Sequence, residues 1–117
     1  MKIITNGIKE RYIIYKLYDI EKVYIGKTTI PIYMRINTHR HGNLQADKYF
    51  SSIGWNNVIF EIIDWSNDKN TLLKMEGEQI LKHYMTHKCN LLNKNCSLIS
   101  DYNVIPSDFK KLACRFF

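Results

Sequence analysis

One carboxylate in this sequence occupies a position that is costly for a charged group. Glu76 lies on the apolar stripe of a predicted helix, whereas Glu78 lies on the opposite face. The stripe has helical spacing and consists of Leu72, Leu73, Ile80 and Tyr84. A carboxylate among such residues needs an ion pair, a proton or a bound cation, unless it lies at the margin of the stripe and reaches water. Glu76 is therefore a candidate cation ligand, and the helix alone leaves both interpretations open.

Four further side chains could act on an anionic substrate. Arg35 and His39 stand four positions apart and so share one face of a predicted helix. Tyr15 and Tyr24 fall in two predicted strands. Arginine donates hydrogen bonds as a planar charged fork, and histidine and tyrosine can exchange protons. Taken singly, each residue also fits an ordinary structural place, because tyrosine is a favoured strand residue and a short basic helix can be fully solvated.

The strands that would position these residues follow from local patterns. Residues 12–18 and 23–26 are rich in β-branched and aromatic residues and flank a short polar segment, which predicts a β-hairpin. Gly26 ends the second strand, where the missing Cβ permits an unusual backbone angle or the close approach of a ligand. Residues 58–65 are largely apolar and predict a third strand that is covered on both faces.

Helices are predicted over residues 31–39, where Pro31 can occupy the first turn, and over residues 72–87. Residues 43–52 fit a short helix that Gly54 would end, and this segment stays open between helix and loop. A final short helix is predicted over residues 107–114. Because no linker or repeat interrupts the chain, we expect one α+β domain over residues 1–95 and a C-terminal extension over residues 96–117 that packs on it.

Composition narrows the class of protein. The 117 residues and 13.9 kDa suffice for one packed core, and a net charge of +6 with a pI near 9.2 suits an anionic partner such as nucleic acid, or a plain basic surface. No apolar run resembles a membrane span, and the three cysteines do not form a disulfide scaffold, so we expect a soluble intracellular protein. The sequence around Cys89 lacks enough ligands for a structural zinc site. Abundant Ile, Asn, Lys and Tyr predict an AT-rich genome of phage, viral or organellar origin.

In combination and in order, the candidate residues resemble the GIY-YIG nuclease family. The resemblance is carried by Ile13-Ile14-Tyr15 and Tyr24-Ile25-Gly26, by an arginine and a histidine on the following helix, and by a later helical glutamate, and it runs from about residue 11 to residue 93. It equates six residues with family positions: the two motif tyrosines, the helical arginine, a histidine found in many members, the metal-binding glutamate and a downstream asparagine, which are Tyr15, Tyr24, Arg35, His39, Glu76 and Asn90.

The resemblance implies a three-stranded antiparallel sheet flanked by helices and a DNA endonuclease that uses one divalent ion. Glu76 would hold Mg²⁺, for which Mn²⁺ would substitute. Arg35 and Asn90 would contact phosphate oxygens. Lys27 directly follows the second motif, where it could also contact phosphate or be a solvated loop lysine. One tyrosine, with Tyr15 favoured, would position or deprotonate the attacking water with help from His39.

Two departures from the family pattern matter. Ile13 replaces the glycine of the first motif, which leaves the motif tyrosine in place. The loop between Gly26 and Arg35 is about one residue longer than the family pattern, which leaves His41 as an alternative to His39. Two other functions stay open: a nucleic-acid-binding module of the same fold that no longer cuts, and an interaction protein with an accidental motif match. The domain could also act as a homodimer or within a larger assembly.

Overall fold

The computed structural model describes residues 1–87 and 90–93. Within them the chain forms four strands and three α-helices. The strands are β1 Lys2–Ile4, β2 Tyr12–Tyr18, β3 Val23–Thr28 and β4 Ile59–Ser66, and the helices are α1 Ile32–Arg40, α2 Gln45–Ile53 and α3 Leu72–His87. Short 3-10 helices at Trp55–Asn57 and Lys69–Thr71 precede β4 and α3. None of the helices in this part of the chain is long and apolar enough to span a membrane.

The strands form one mixed sheet in the order β1-β4-β2-β3, which confirms the predicted α+β fold. Strand β2 lies antiparallel to both β3 and β4, as expected for the three-stranded core. The expectation of three strands is corrected by β1, which pairs in parallel with β4 and places Lys2 opposite Ile59. A three-residue strand carries no measurable periodicity, so only its pairing with β4 reveals it.

The hairpin of β2 and β3 is fixed by its turn. The carboxylate of Asp19 accepts hydrogen bonds from the backbone N–H groups of Glu21 and Lys22, at 3.0 and 2.7 Å. Such a side-chain acceptor satisfies turn donors that the sheet cannot reach. The resulting register places Tyr15 opposite Gly26.

Helices cover both faces of the sheet because side chains of β2 alternate between two apolar cores. Tyr15 and its neighbours on that face pack with residues of α1 and α2, among them Ile36 and Phe50. Ile14 faces the other way and packs with α3. A sheet covered on both faces explains why β4 reads as a nearly continuous apolar run.

Residues 43–52, which the sequence left open between helix and loop, form helix α2 over most of their length. It ends at Gly54, whose φ of 91° is a left-handed backbone angle that glycine adopts without steric cost. On α3 the expected stripe is buried at Leu72, Ile80 and Tyr84, but Leu73 is 53% exposed and does not belong to it. The predicted helix over residues 107–114, the extension over residues 96–117 and all three cysteines lie outside the residues whose side chains are described.

Candidate active site

A buried hydrogen-bonded cluster joins β2 to α1. The hydroxyl of Tyr15 lies 2.6 Å from Nε2 of His39 and accepts a hydrogen bond of 2.9 Å from Nε of Arg35. Tyr15 is completely buried and its ring stacks on Phe60 with a centroid distance of 4.6 Å. The four-residue spacing on α1 therefore delivers Arg35 and His39 to the same phenol oxygen.

Asp47 completes the cluster, and sequence reasoning missed it. Its Oδ1 lies 2.6 Å from Nδ1 of His39, and its Oδ2 accepts from the backbone N–H of Leu44 at 3.2 Å. Only 2% of Asp47 is exposed, although it lies in the first turn of α2. The one signal in the sequence was an acidic residue near a helix start, which normally indicates only a favourable position relative to the helix dipole.

Tyr24 and Glu76 meet in a cleft of about 230 Å³ beside the edge strand β3. The cleft is lined from both layers of the fold, by Ala46 of α2, by Glu76 and Ile80 of α3, and by Asn93. Tyr24 is half-buried and its ring lies edge-on to His39 with a centroid distance of 5.6 Å. The cleft thus connects the Tyr15 cluster to the Glu76 carboxylate.

Burial raises the pKa of the Glu76 carboxyl above its usual range. The positive charges of Lys27 and Arg35 and a backbone hydrogen bond from Lys27 oppose that rise. The described residues provide Glu76 with no hydrogen bond from a cationic side chain. Glu76 is therefore a partly desolvated carboxylate at an open cleft, which is the condition in which a carboxylate gains most from a cation.

Arg35 also faces a second, adjacent groove of about 340 Å³. Lys27, Thr28 and Lys69 line this groove together with Arg35 and part of α3. Three cationic side chains around one groove form a local positive field that attracts phosphate groups. Lys27 lies close enough to Glu76 for its charge to lower the pKa of that carboxyl, while its predicted contact with phosphate stays a prediction.

Burial sets the protonation of the cluster. Desolvation raises the pKa of Tyr15 far above its usual range, against the lowering effect of Arg35, and desolvation likewise raises the pKa of Tyr24. Desolvation lowers the pKa of His39, although the hydrogen bond to Asp47 acts in the opposite direction. Near neutral pH both phenols are therefore protonated and His39 is neutral.

A model of the GIY-YIG catalytic domain matches residues 11–90, about two thirds of the chain. The chain belongs to the GIY-YIG family. This is a family of endonucleases, and the domain has a nuclease-type fold. No curated protein and no solved structure matches the chain.

The GIY-YIG glycine of the second motif has a steric function here. A Cβ on Gly26 would overlap the hydroxyl end of the Tyr15 ring, with the ring's Cε2 only 2.9 Å away. Its backbone angle is not left-handed. The close approach expected at this glycine is therefore made by the protein's own tyrosine.

Two residues with expected roles lie elsewhere in this GIY-YIG domain. Asn90 is exposed and lines a separate cleft at the hairpin turn of residues 19–22, so the structure does not bring it to Glu76. Asn93 lies at the cleft instead and clamps Ile25, with its Oδ1 accepting from the backbone N–H and its Nδ2 donating to the carbonyl, each at 2.8 Å. His41 is exposed at the end of α1, so His39 is the histidine that joins the cluster.

Proposed function

We propose that this GIY-YIG domain is a DNA endonuclease that hydrolyses phosphodiester bonds with one divalent metal ion. The proposal rests above all on the Glu76 carboxylate, which lines the same cleft as Tyr24 with the Arg35 guanidinium close by. The net charge of +6 and the basic groove beside Arg35 favour a polyanionic substrate.

The residues present fit Mg²⁺. It is a hard cation that usually takes one or two carboxylates and keeps several waters. Glu76 offers one such carboxylate at a cleft with room for water, and no group of three His, Cys, Asp or Glu residues suited to a metal occurs in the described part of the chain. Bound at Glu76, the ion would polarise the scissile phosphate and stabilise the leaving oxygen, and Mn²⁺ would substitute for it.

Arg35 binds the phosphate in this proposal. Its Nε donates to Tyr15, which leaves the two terminal nitrogens for non-bridging phosphate oxygens. Lys27 adds a second positive charge on the same side. Loss of the Arg35 fork should lower the rate about 10²–10³-fold, the cost typical of removing one donor to a developing charge.

Tyr15 and Tyr24 have different roles in this proposal because they differ in exposure. The sequence favoured Tyr15 as the tyrosine that positions the attacking water, but we assign this role to Tyr24 because Tyr24 lines the cleft. Tyr15 is completely buried and acts on Arg35 rather than on substrate. A protonated phenol can orient the water but cannot take its proton, so Tyr24 would act as a base only after losing its own hydroxyl proton to solvent. Arg35 lowers the pKa of Tyr24 against the effect of burial and so supplies the positive charge that would stabilise this phenolate.

The test is cleavage of supercoiled plasmid in Mg²⁺ by the parent, Glu76→Gln and Glu78→Gln proteins. Glu78 is a matched control because it is exposed on the same helix two residues away. We expect metal-dependent cutting that EDTA abolishes, that Mn²⁺ supports, and that Glu76→Gln loses while Glu78→Gln keeps it.

DNA binding is measured in parallel by fluorescence anisotropy of a labelled duplex. A parent protein that binds DNA but cuts nothing in Mg²⁺ or Mn²⁺ would contradict the proposal and favour a binding module of the same fold. Equal activity of the two glutamine variants would show that Glu76 holds no essential ion.

A further inference from the structure

The Asp47 carboxylate is a buried charge with both oxygens engaged. His39 and the backbone N–H of Leu44 each occupy one oxygen. The turn before α2 is shaped around it, since a Cβ on Gly42 would overlap the Asp47 carboxylate. Burial of a carboxylate is costly without such partners, and the local backbone provides them for both Asp47 oxygens.

An ionised carboxylate accepts hydrogen bonds and donates none. If Asp47 is the acceptor of this 2.6 Å hydrogen bond, the proton between Asp47 and His39 resides on Nδ1 of His39. A neutral imidazole then has a bare Nε2, which accepts the hydroxyl proton of Tyr15 at 2.6 Å. The Tyr15 oxygen is left to accept from Nε of Arg35 at 2.9 Å. Asp47 thus sets the donor and acceptor roles in the series of hydrogen bonds that links Arg35, Tyr15 and His39.

We propose that Asp47 is a positioning residue which acts through His39 and Tyr15 to aim the Arg35 guanidinium at the substrate phosphate. This inference rests on the proposed function for its catalytic consequence. Of the four hydrogen-bonded residues Arg35, Tyr15, His39 and Asp47, Arg35 is the one that lines the basic groove. The hydrogen bond from its Nε to Tyr15 fixes the plane of the guanidinium group. A rigid fork is pre-organised for the phosphate, and small misplacements of such groups are expensive in rate.

An Asp47→Asn substitution separates this role from simple capping of α2. The amide oxygen can still accept from the N–H of Leu44, and the amide nitrogen then faces Nδ1 of His39. The proton of His39 is forced onto Nε2, where it points at the Tyr15 oxygen. Tyr15 would then receive two donors and leave its own buried hydroxyl proton without an acceptor, so the link to Arg35 breaks.

The first readout is the ¹⁵N NMR signature of the His39 ring in the protein without DNA or metal. The proposal expects a protonated Nδ1 and a bare Nε2 in the parent, and the opposite tautomer in Asp47→Asn. A parent that carries its proton on Nε2 would overturn the proposal, and this measurement needs neither a variant that folds nor any nuclease activity.

The second readout is catalytic. We expect Asp47→Asn to lower kcat about 10²-fold or more, since the equivalent change of a histidine-orienting aspartate in a serine protease costs about 10⁴. The dissociation constant for DNA should change less than threefold. Asp19→Asn is the matched control, because Asp19 also accepts hydrogen bonds, including one of 2.7 Å from Tyr49 of α2, yet lies outside the cluster. It should keep the parent kcat and tautomer.

Loss of kcat in Asp47→Asn with the parent tautomer unchanged would also overturn the proposal. A parent that cuts no DNA would count against the proposed function. The His39 tautomer in the parent and in Asp47→Asn would still decide whether Asp47 sets the donor and acceptor roles of these hydrogen bonds.

Discussion

Replacing Gly26 by alanine tests the packing of the second motif against Tyr15. The new Cβ would overlap the Tyr15 ring, which cannot swing aside because Phe60 stacks on it and His39 and Arg35 bind its hydroxyl. Overpacking a tight site costs about 1–3 kcal/mol, and here the upper part of that range applies. Reduced freedom of the unfolded chain offsets about 0.4–1 kcal/mol. We expect a net loss of about 2 kcal/mol.

That loss corresponds to a thermal midpoint roughly 8 °C lower for a domain of this size. The measurement is urea unfolding followed by tryptophan fluorescence, with plasmid cleavage as a second readout that should fall by about 10²-fold because the Tyr15 hydroxyl moves. The comparison that isolates the contact is a double-mutant cycle with Tyr15→Leu, whose side chain lacks the overlapping ring atoms.

In the Tyr15→Leu background, Gly26→Ala should be close to neutral. Gly54→Ala is the control, since it is strained by its φ of 91° and should cost the same in both backgrounds. A Gly26→Ala protein as stable as the parent, or one equally destabilised with and without the tyrosine ring, would refute the steric argument.

Three further predictions concern other parts of the site. Asn93→Ala should destabilise the fold by about 2 kcal/mol in chemical denaturation, because it leaves the buried N–H and carbonyl of Ile25 without their partner, and a loss under 0.5 kcal/mol would contradict this. His39 has a lowered pKa in the fold, so its contribution to stability is present above the unfolded pKa of about 6.5 and is lost as pH falls below it. The difference in the free energy of unfolding between the parent and His39→Gln should therefore shrink from pH 8 to pH 5. A constant difference would exclude this titration. Lys27→Ala should weaken DNA binding and reduce the slope of log affinity against log salt by about 1, whereas Lys48→Ala, an exposed lysine of α2, should leave that slope unchanged.

Local patterns predicted the elements that carry their own signal. The hairpin strands followed from β-branched and aromatic runs, and α3 followed from helical spacing of apolar residues. Strand β1 has three residues and gains its stability only from pairing with β4, so no local pattern could reveal it. Residues 43–52 stayed open between helix and loop, and the buried side of helix α2 includes the polar Asp47 beside the apolar Ala46 and Phe50.

The candidate site was predicted residue by residue but not as a connected group. The four-residue spacing of Arg35 and His39 placed them on one face, yet only the fold shows that both reach Tyr15. Asp47 became visible through its distance to His39, which depends on the turn at Gly42. The sequence predicted a role for Asn90 and none for Asn93, because sequence spacing does not show which asparagine turns towards β3.

The covered edge of strand β3 limits how this domain can associate with other chains. At Val23 and Ile25 its outward backbone groups bond within the domain: the carbonyl of Val23 accepts from the N–H of Leu92, and Asn93 bonds both the N–H and the carbonyl of Ile25. The opposite edge is β1, which is only three residues long. Short or covered edges resist strand addition. Pairing of another strand with β3 would first have to displace Leu92 and Asn93, which line the candidate cleft together with Glu76.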